Sequence, residues 1–119
     1  MSLHPEVSRR MYAIQSDLRA LGIPFAITST WRSTASQEAL YEAYVARGRT
    51  GLPAARPGLS THEYGIAFDA SFPAGKEAIV SRVAKTHGMV WFGSRDRVHF
   101  DIFGPTAWNK LLRDLGMLR

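Results

Sequence analysis

The 119-residue sequence contains no cysteine, which excludes disulfides and thiolate metal sites and leaves His and carboxylate side chains as the available metal ligands. The redox compartment stays open. No stretch approaches the roughly 18 consecutive apolar residues of a membrane-spanning helix, and the start MSLHPEVSRRMYAIQ lacks the apolar region of a secretory signal. Neither membrane insertion nor export by a signal of its own is expected. Acidic residues are few, with 10 Asp and Glu against 15 Lys and Arg, a formal charge of +5. That excess attracts polyanions without saying which. A nucleic-acid reader would show a dense basic helix or interleaved basic and aromatic residues on one strand face. Neither is visible, so no nucleic-acid partner is expected. Arg47, Arg49 and Arg56 cluster around RGRTGLPAARPG, and Arg9, Arg10 and Arg19 ride on the first helical segment; for each alone, a solvated surface is the plainer reading. The length fits one domain, 1–119, and leaves no room for a wall-anchoring module.

The order of elements predicts an α+β fold. Val7, Met11, Ile14, Leu18 and Leu21 recur at spacings of three and four, an amphipathic helix from about Pro5 to Leu21 that stops at Gly22. PFAITSTW, residues 24–31, reads as a strand, and Ser33 as the N-cap of a helix running to about Arg47. Arg32 then lies at a strand-to-helix junction, where side chains tend to face a cleft. Residues 48–59, rich in Gly, Pro and Arg, form a long loop. In GIAFDASF, 65–72, Ile66, Phe68, Ala70 and Phe72 alternate with Ala67, Asp69 and Ser71; in RVHFDI, 97–102, Val98, Phe100 and Ile102 alternate with Arg97, His99 and Asp101. If these strands are neighbours, Asp69 and His99 share the open face. KEAIVSRVAKTHG, 76–88, reads as a helix packing through Ala78, Ile79, Val83 and Ala84, and a last helix runs from about Pro105 to Leu115. The fold expected is a small antiparallel or mixed sheet with flanking helices.

The densest chemistry lies in STHEYGIAFD, 60–69, and DRVH, 96–99. Together they supply His62, Asp69 and His99, a three-ligand set for a metal, with Asp96 as a spare carboxylate. Catalytic zinc takes three protein ligands and leaves the fourth position to water, whose pKa then falls to about 7. Any one such residue on a strand's polar face is more often solvated or ordinarily hydrogen-bonded. The set of three is what points to metal. Gly65 lets the chain turn tightly between His62 and the strand. His87 before Gly88 is explained by a helix end, and His4 by a mobile terminus. Neither is expected to be a ligand.

SxHxxGxAxD followed by an acidic-x-x-His resembles the zinc peptidoglycan peptidases: D-Ala-D-Ala dipeptidases, D,D-carboxypeptidases and the L-alanyl-D-glutamate endopeptidases of phage lysins. WRSTASQEALY, 31–41, is similar to the family's Arg-Ser-x-x-x-Gln block. The three blocks cover about Ile27 to Phe103 in the family's order. The resemblance implies a hedgehog/D-Ala-D-Ala peptidase-like domain, with zinc on His62, Asp69 and His99. It gives Asp96 the role of general base toward the zinc-bound water, and Arg32 that of a cation facing the reacting peptide. Strict alternation would aim Asp96 away from His99, so the chain must bend at Asp96 or Arg97. Ser60 and Gln37 are candidate substrate-binding residues, though Ser60 could merely cap the loop and Gln37 merely buttress Arg32. Asp101 could orient a ligand His, with solvent exposure the plainer reading. Trp31, Trp91 and Tyr64 could line the groove or belong to the core.

The implied function is hydrolysis of an amide in the peptidoglycan stem peptide by a monomer. The shorter acid at Asp96 resembles the L-alanyl-D-glutamate endopeptidase branch, with D-Ala-D-Ala carboxypeptidase or dipeptidase action as the alternative. A lysin of this kind is made in the host cytoplasm and reaches the cell wall through a holin or a virion. A non-catalytic zinc-binding module of the same fold, as in hedgehog signalling domains, would need neither Asp96 nor Arg32.

Overall fold

A computed structural model describes residues 2–118. Helix α1 (Pro5–Ala20) leads to strand β1 (Ala26–Ser29) and helix α2 (Thr34–Ala46). After a long loop and a 3-10 turn (Thr61–Tyr64) come strand β2 (Ala67–Ser71) and helix α3 (Glu77–Thr86). Strand β3 (Val90–Trp91), a second 3-10 turn (Ser94–Asp96), strand β4 (His99–Asp101) and helix α4 (Pro105–Asp114) complete the chain. The strands form one antiparallel sheet in the order β1-β2-β4-β3. The α+β expectation holds, and the sheet is antiparallel throughout.

The core forms where α1 lays its apolar stripe, Val7, Met11, Ile14 and Leu18, against the sheet. Phe68 and Phe100 stack across β2 and β4 with ring centroids 5.1 Å apart, and Phe25 meets both edge-on. Fully burying side chains of this size is worth about 1.5 to 3 kcal/mol each. This apolar layer fixes which face of each strand looks inward, and a one-residue slip would expose it. The opposite face is thereby committed to the site.

Two features of the sheet shape that face. Asp69 on β2 lies directly opposite His99 on β4, as the alternation of both strands required. The β1–β2 register shifts between Ile27 and Ser29, an irregularity that redirects side chains beside a functional site. It sets Ser29 opposite Asp69 and sends the chain over the sheet's end toward Arg32.

Several expectations need correcting. The short strand β3 was not foreseen, because two residues carry too little pattern to register. Ala78 is exposed on α3, while Val80 is fully buried. Val98 lines the cleft rather than facing the core, since the turn at Ser94–Asp96 delays the strand until His99. His4 is the N-cap of α1: its Nδ1 accepts from the Glu6 backbone N–H and its own N–H donates to Gly65 O at 2.8 Å. Gly65 permits this contact, having φ +73° and no side chain where a Cβ would come within 2.6 Å of Ser2 O. His87 follows α3, with Nε2 2.6 Å from Asp17 Oδ2.

Candidate active site

Five elements converge on one cleft of about 370 Å3. His62 comes from the first 3-10 turn, whose start is set by a reciprocal cap: Ser60 Oγ accepts from the His62 N–H, and Glu63 accepts from the Ser60 N–H. Asp69 projects from β2 and His99 from β4. Arg32 stands at the entry to α2, and Asp96 at the end of the second 3-10 turn. All five line the cleft.

The three expected metal ligands meet. His62 Nε2 lies 3.0 Å from Asp69 Oδ1, His99 Nδ1 lies 3.4 Å from the same oxygen, and the two ring nitrogens are 3.2 Å apart. Both rings are buried. Each is oriented from behind by an acceptor: Thr30 O is 2.8 Å from His62 Nδ1, and Asp101 Oδ2 is 3.0 Å from His99 Nε2. Those acceptors hold the ring protons on the outer nitrogens. With both rings neutral, the inner nitrogens turn two lone pairs toward an anionic oxygen, and three converging acceptors favour a positive charge between them. A divalent metal of the zinc class fits this set of two imidazoles and one carboxylate.

The electrostatics of the metal-free cluster express the same demand. Burial alone would lower the pKa of His99, but its hydrogen bonds to Asp101 and Asp69 outweigh burial and raise it to about 9. Burial pushes Asp69 upward, and the hydrogen bonds from His62 and His99 reverse this, holding its carboxyl below the usual range. A proton on His99 thus supplies the positive charge when nothing else does. Asp96 behaves differently. Burial raises its pKa, with Asp69 adding to the rise and His99, His62 and Arg32 opposing it. Its acid therefore lies nearer neutrality than a free Asp, the direction in which burial drives any carboxyl.

Arg32 is held on three sides. It donates to Gln37 Oε1 at 2.8 Å and to Ser29 Oγ at 3.0 Å, and its Nη2 lies 3.5 Å from Asp69 Oδ2. Gln37 is 1% exposed and spends its amide N–H on Ala55 O at 2.7 Å. Both ends of its side chain are occupied within the protein. The Ser60 hydroxyl, which also lines the cleft, is engaged as a cap.

Asp101 corrects a sequence expectation. Alternation places it beside His99, but it is wholly buried rather than solvated. The turn at Thr61–Tyr64 covers it: Thr61 Oγ1 donates to its Oδ2 at 3.0 Å, while the Phe103 and Gly104 N–H groups donate to its Oδ1. Thr61 itself gave no signal beyond adjacency to His62. Trp31, Trp91 and Tyr64 do not line the cleft; Trp31 and Trp91 donate to the Glu63 and Arg97 carbonyls, and Tyr64 to Gly58 O. Phe92 and Trp108 line it instead, the Phe92 ring 4.2 Å from that of His99.

Residues 1–102 match the family model described as VanY, D-alanyl-D-alanine carboxypeptidase. The chain belongs to this family. No curated protein sequence matches it. Solved structures of similar fold include the LD-carboxypeptidase LdcB, at TM-score 0.71 and 22% identity, over 98% of this chain and 73% of that one. The vancomycin-resistance D,D-pentapeptidase VanY, solved with Zn(II), gives TM-score 0.70 and 18% identity over 98% of this chain and 80% of that one. The L-Ala D-Glu endopeptidase ChiX of Serratia marcescens gives TM-score 0.58 and 22% identity over 96% and 84%. The family is one of peptidases, and the α+β architecture of this VanY-family chain matches theirs. Among the described residues, no helix is long and apolar enough to cross a membrane.

Proposed function

We propose that this VanY-family protein is a zinc-dependent L-alanyl-D-glutamate endopeptidase acting on the stem peptide of bacterial peptidoglycan as a single catalytic domain. The observation that carries the reading is the convergence of His62, Asp69 and His99 within 4.8 Å in the cleft that also holds Asp96 and Arg32. His62 Nε2, Asp69 Oδ1 and His99 Nδ1 would hold the zinc. When bound, it would supply Lewis acidity, polarising the peptide carbonyl and acidifying water. Asp96 accepts the proton of the attacking water and returns it to the leaving amine. Arg32, fixed by Gln37 and Ser29, offers its guanidinium to the oxyanion that develops on the carbonyl, an interaction commonly worth about 3 to 4 kcal/mol. Ser60 caps the turn that carries His62, and Gln37 serves the substrate through Arg32. The basic surface suits an anionic wall, which the protein would reach as a monomer with the aid of a holin or a virion.

The endopeptidase branch is favoured by the shorter acid at Asp96. A second reading, D-Ala-D-Ala carboxypeptidase or dipeptidase, is favoured by the description of the matching family model. A non-catalytic zinc module is disfavoured, because binding alone needs neither the raised acid of Asp96 nor a clamped Arg32. Mass spectrometry of purified sacculi digested with the zinc-loaded protein separates all three. Endopeptidase action releases peptides beginning at D-Glu, carboxypeptidase action removes only terminal D-Ala, and muropeptides and free D-Ala-D-Ala both left unchanged reject every enzymatic reading.

A further inference from the structure

The loop at residues 48–59 forms one wall of the cleft through Leu52, Pro53, Ala54, Ala55 and Leu59. It has no regular structure of its own, so its shape is set by side chains that bind its backbone from outside. Arg47 donates to Thr50 O at 2.7 Å and Leu52 O at 2.9 Å, Trp108 donates to Leu59 O, and Glu63 accepts from the Gly58 N–H. Gln37 donates to Ala55 O at 2.7 Å. Among the described residues, Gln37 alone of these also bonds Arg32, through Oε1 at 2.8 Å.

We propose that Gln37 is a positioning residue that ties the substrate-facing wall at Ala55 to the Arg32 guanidinium, so that one buried amide sets both the width of the cleft and the aim of its cation. The amide is suited to this because its two ends differ: the oxygen can only accept and the nitrogen can only donate. Arg32 has only donors to offer and the Ala55 carbonyl only an acceptor, so a single amide satisfies both. Burial excludes competing water, and a buried polar group left without its partner is costly. The two contacts therefore stand or fall with the chemistry at residue 37. The inference rests on the proposed peptidase function for its kinetic half and on no function for its structural half.

The two ends can be cut separately. Gln37→Glu keeps an acceptor for Arg32 but turns a second oxygen on the Ala55 carbonyl, and so should release the loop alone. Gln37→Met keeps the length and loses both contacts. Limited trypsinolysis after Arg47 and Arg49 reads the loop without any need for catalysis, with zinc stoichiometry and the thermal midpoint confirming that each variant is folded. The expected result is that both variants are cut about tenfold faster or more than the wild type. On a stem peptide, Gln37→Glu should raise KM about tenfold with kcat held within about threefold, whereas Gln37→Met should also lower kcat about tenfold or more. Unchanged trypsin sensitivity in both folded variants overturns the tie to the loop. Faster cutting with identical kinetic losses in the two variants overturns the tie to Arg32. Should the wild type hydrolyse no stem peptide, the peptidase reading falls and the link to Arg32 is overturned as a catalytic device, while the proteolysis still decides the tie to the loop.

Discussion

Replacing Asp101 by Asn tests whether the site is built from its outer hydrogen bonds inward. Asp101 Oδ1 accepts from the Phe103 and Gly104 N–H groups at 2.8 and 2.7 Å, so only an oxygen can occupy that position. The new amide NH2 must therefore fall where Oδ2 stood, 3.0 Å from His99 Nε2 and 3.0 Å from Thr61 Oγ1. A donor now faces the outer nitrogen of His99. That nitrogen must give up its proton and accept, which moves the proton to Nδ1, the atom 3.2 Å from His62 Nε2 and 3.4 Å from Asp69 Oδ1. There it occupies the lone pair the metal needs.

Loss of such a supporting carboxylate costs about 10- to 100-fold in metal affinity, or about 1.4 to 2.8 kcal/mol. Asn is a cleaner change than Ala, which would leave the Phe103 and Gly104 N–H groups without an acceptor and burden the fold itself. Competition between the protein and a chromophoric zinc chelator at fixed pH measures the affinity, and thermal unfolding in excess chelator checks that the metal-free fold survives. Nitrogen chemical shifts of His99 report the tautomer directly. A folded Asp101→Asn protein with wild-type zinc affinity would refute the reasoning and leave packing against Phe92 as what orients the ring.

Asp96→Ala should keep stoichiometric zinc and lose kcat by about two orders of magnitude or more; near-normal turnover on muropeptides would return Asp96 to a structural role in its turn. Gly65→Ala should destabilise the protein by about 2 to 3 kcal/mol, from the left-handed backbone at φ +73°, the 2.6 Å approach to Ser2 O and loss of the His4 N–H to Gly65 O bond. An unchanged unfolding midpoint would show that the N-terminal segment does not pack as described. For the metal-free protein, His99 is raised to about 9 in the fold against about 6.5 unfolded. Its contribution to stability is therefore complete below about pH 6.5 and lost as pH rises through about 9. Zinc affinity should climb through the same window, because binding displaces that proton. Urea unfolding at pH 6 and pH 9, with and without zinc, gives the comparison, and a metal-free stability that is flat or rises with pH would contradict the His99 assignment.

Much of this arrangement was legible because it follows from period-two alternation. Once Phe68 and Phe100 are committed to the core, Asp69 and His99 must emerge together, and the register bears this out. The start of α2 was equally plain, since Ser33 accepts from the Ser36 N–H as an N-cap should. What alternation could not supply was depth. It put Asp101 on the polar face with His99 but could not foresee that the Thr61–Tyr64 turn would close over it, because that contact joins residues forty positions apart. The same limit hid the backbone partner of His62, since the Thr30 carbonyl reaches the ring only through the irregular register of β1. Nor could it predict Val98 on the cleft wall, where a turn overrides strand periodicity.

These omissions share a cause, and it bears on how the site works. The residues visible in the sequence are those whose chemistry is unusual for their position, such as a His and an Asp meeting across two strands. The residues that were not visible are ordinary groups, a threonine hydroxyl and a backbone carbonyl, whose importance lies in what they face. Thr61 and Asp101 decide which nitrogen of His99 carries a proton, Thr30 does the same for His62, and Gln37 holds Arg32. Ligand identity fixes which cation can bind, while these outer bonds hold each ring so that its inner nitrogen faces Asp69, where a metal would displace the proton carried by His99. Variants of the outer groups should therefore act by grades, shifting affinity or the aim of Arg32. Variants of His62, Asp69 or His99 should act as near-complete losses, because removing one of the three proposed ligands would take away affinity and geometry together.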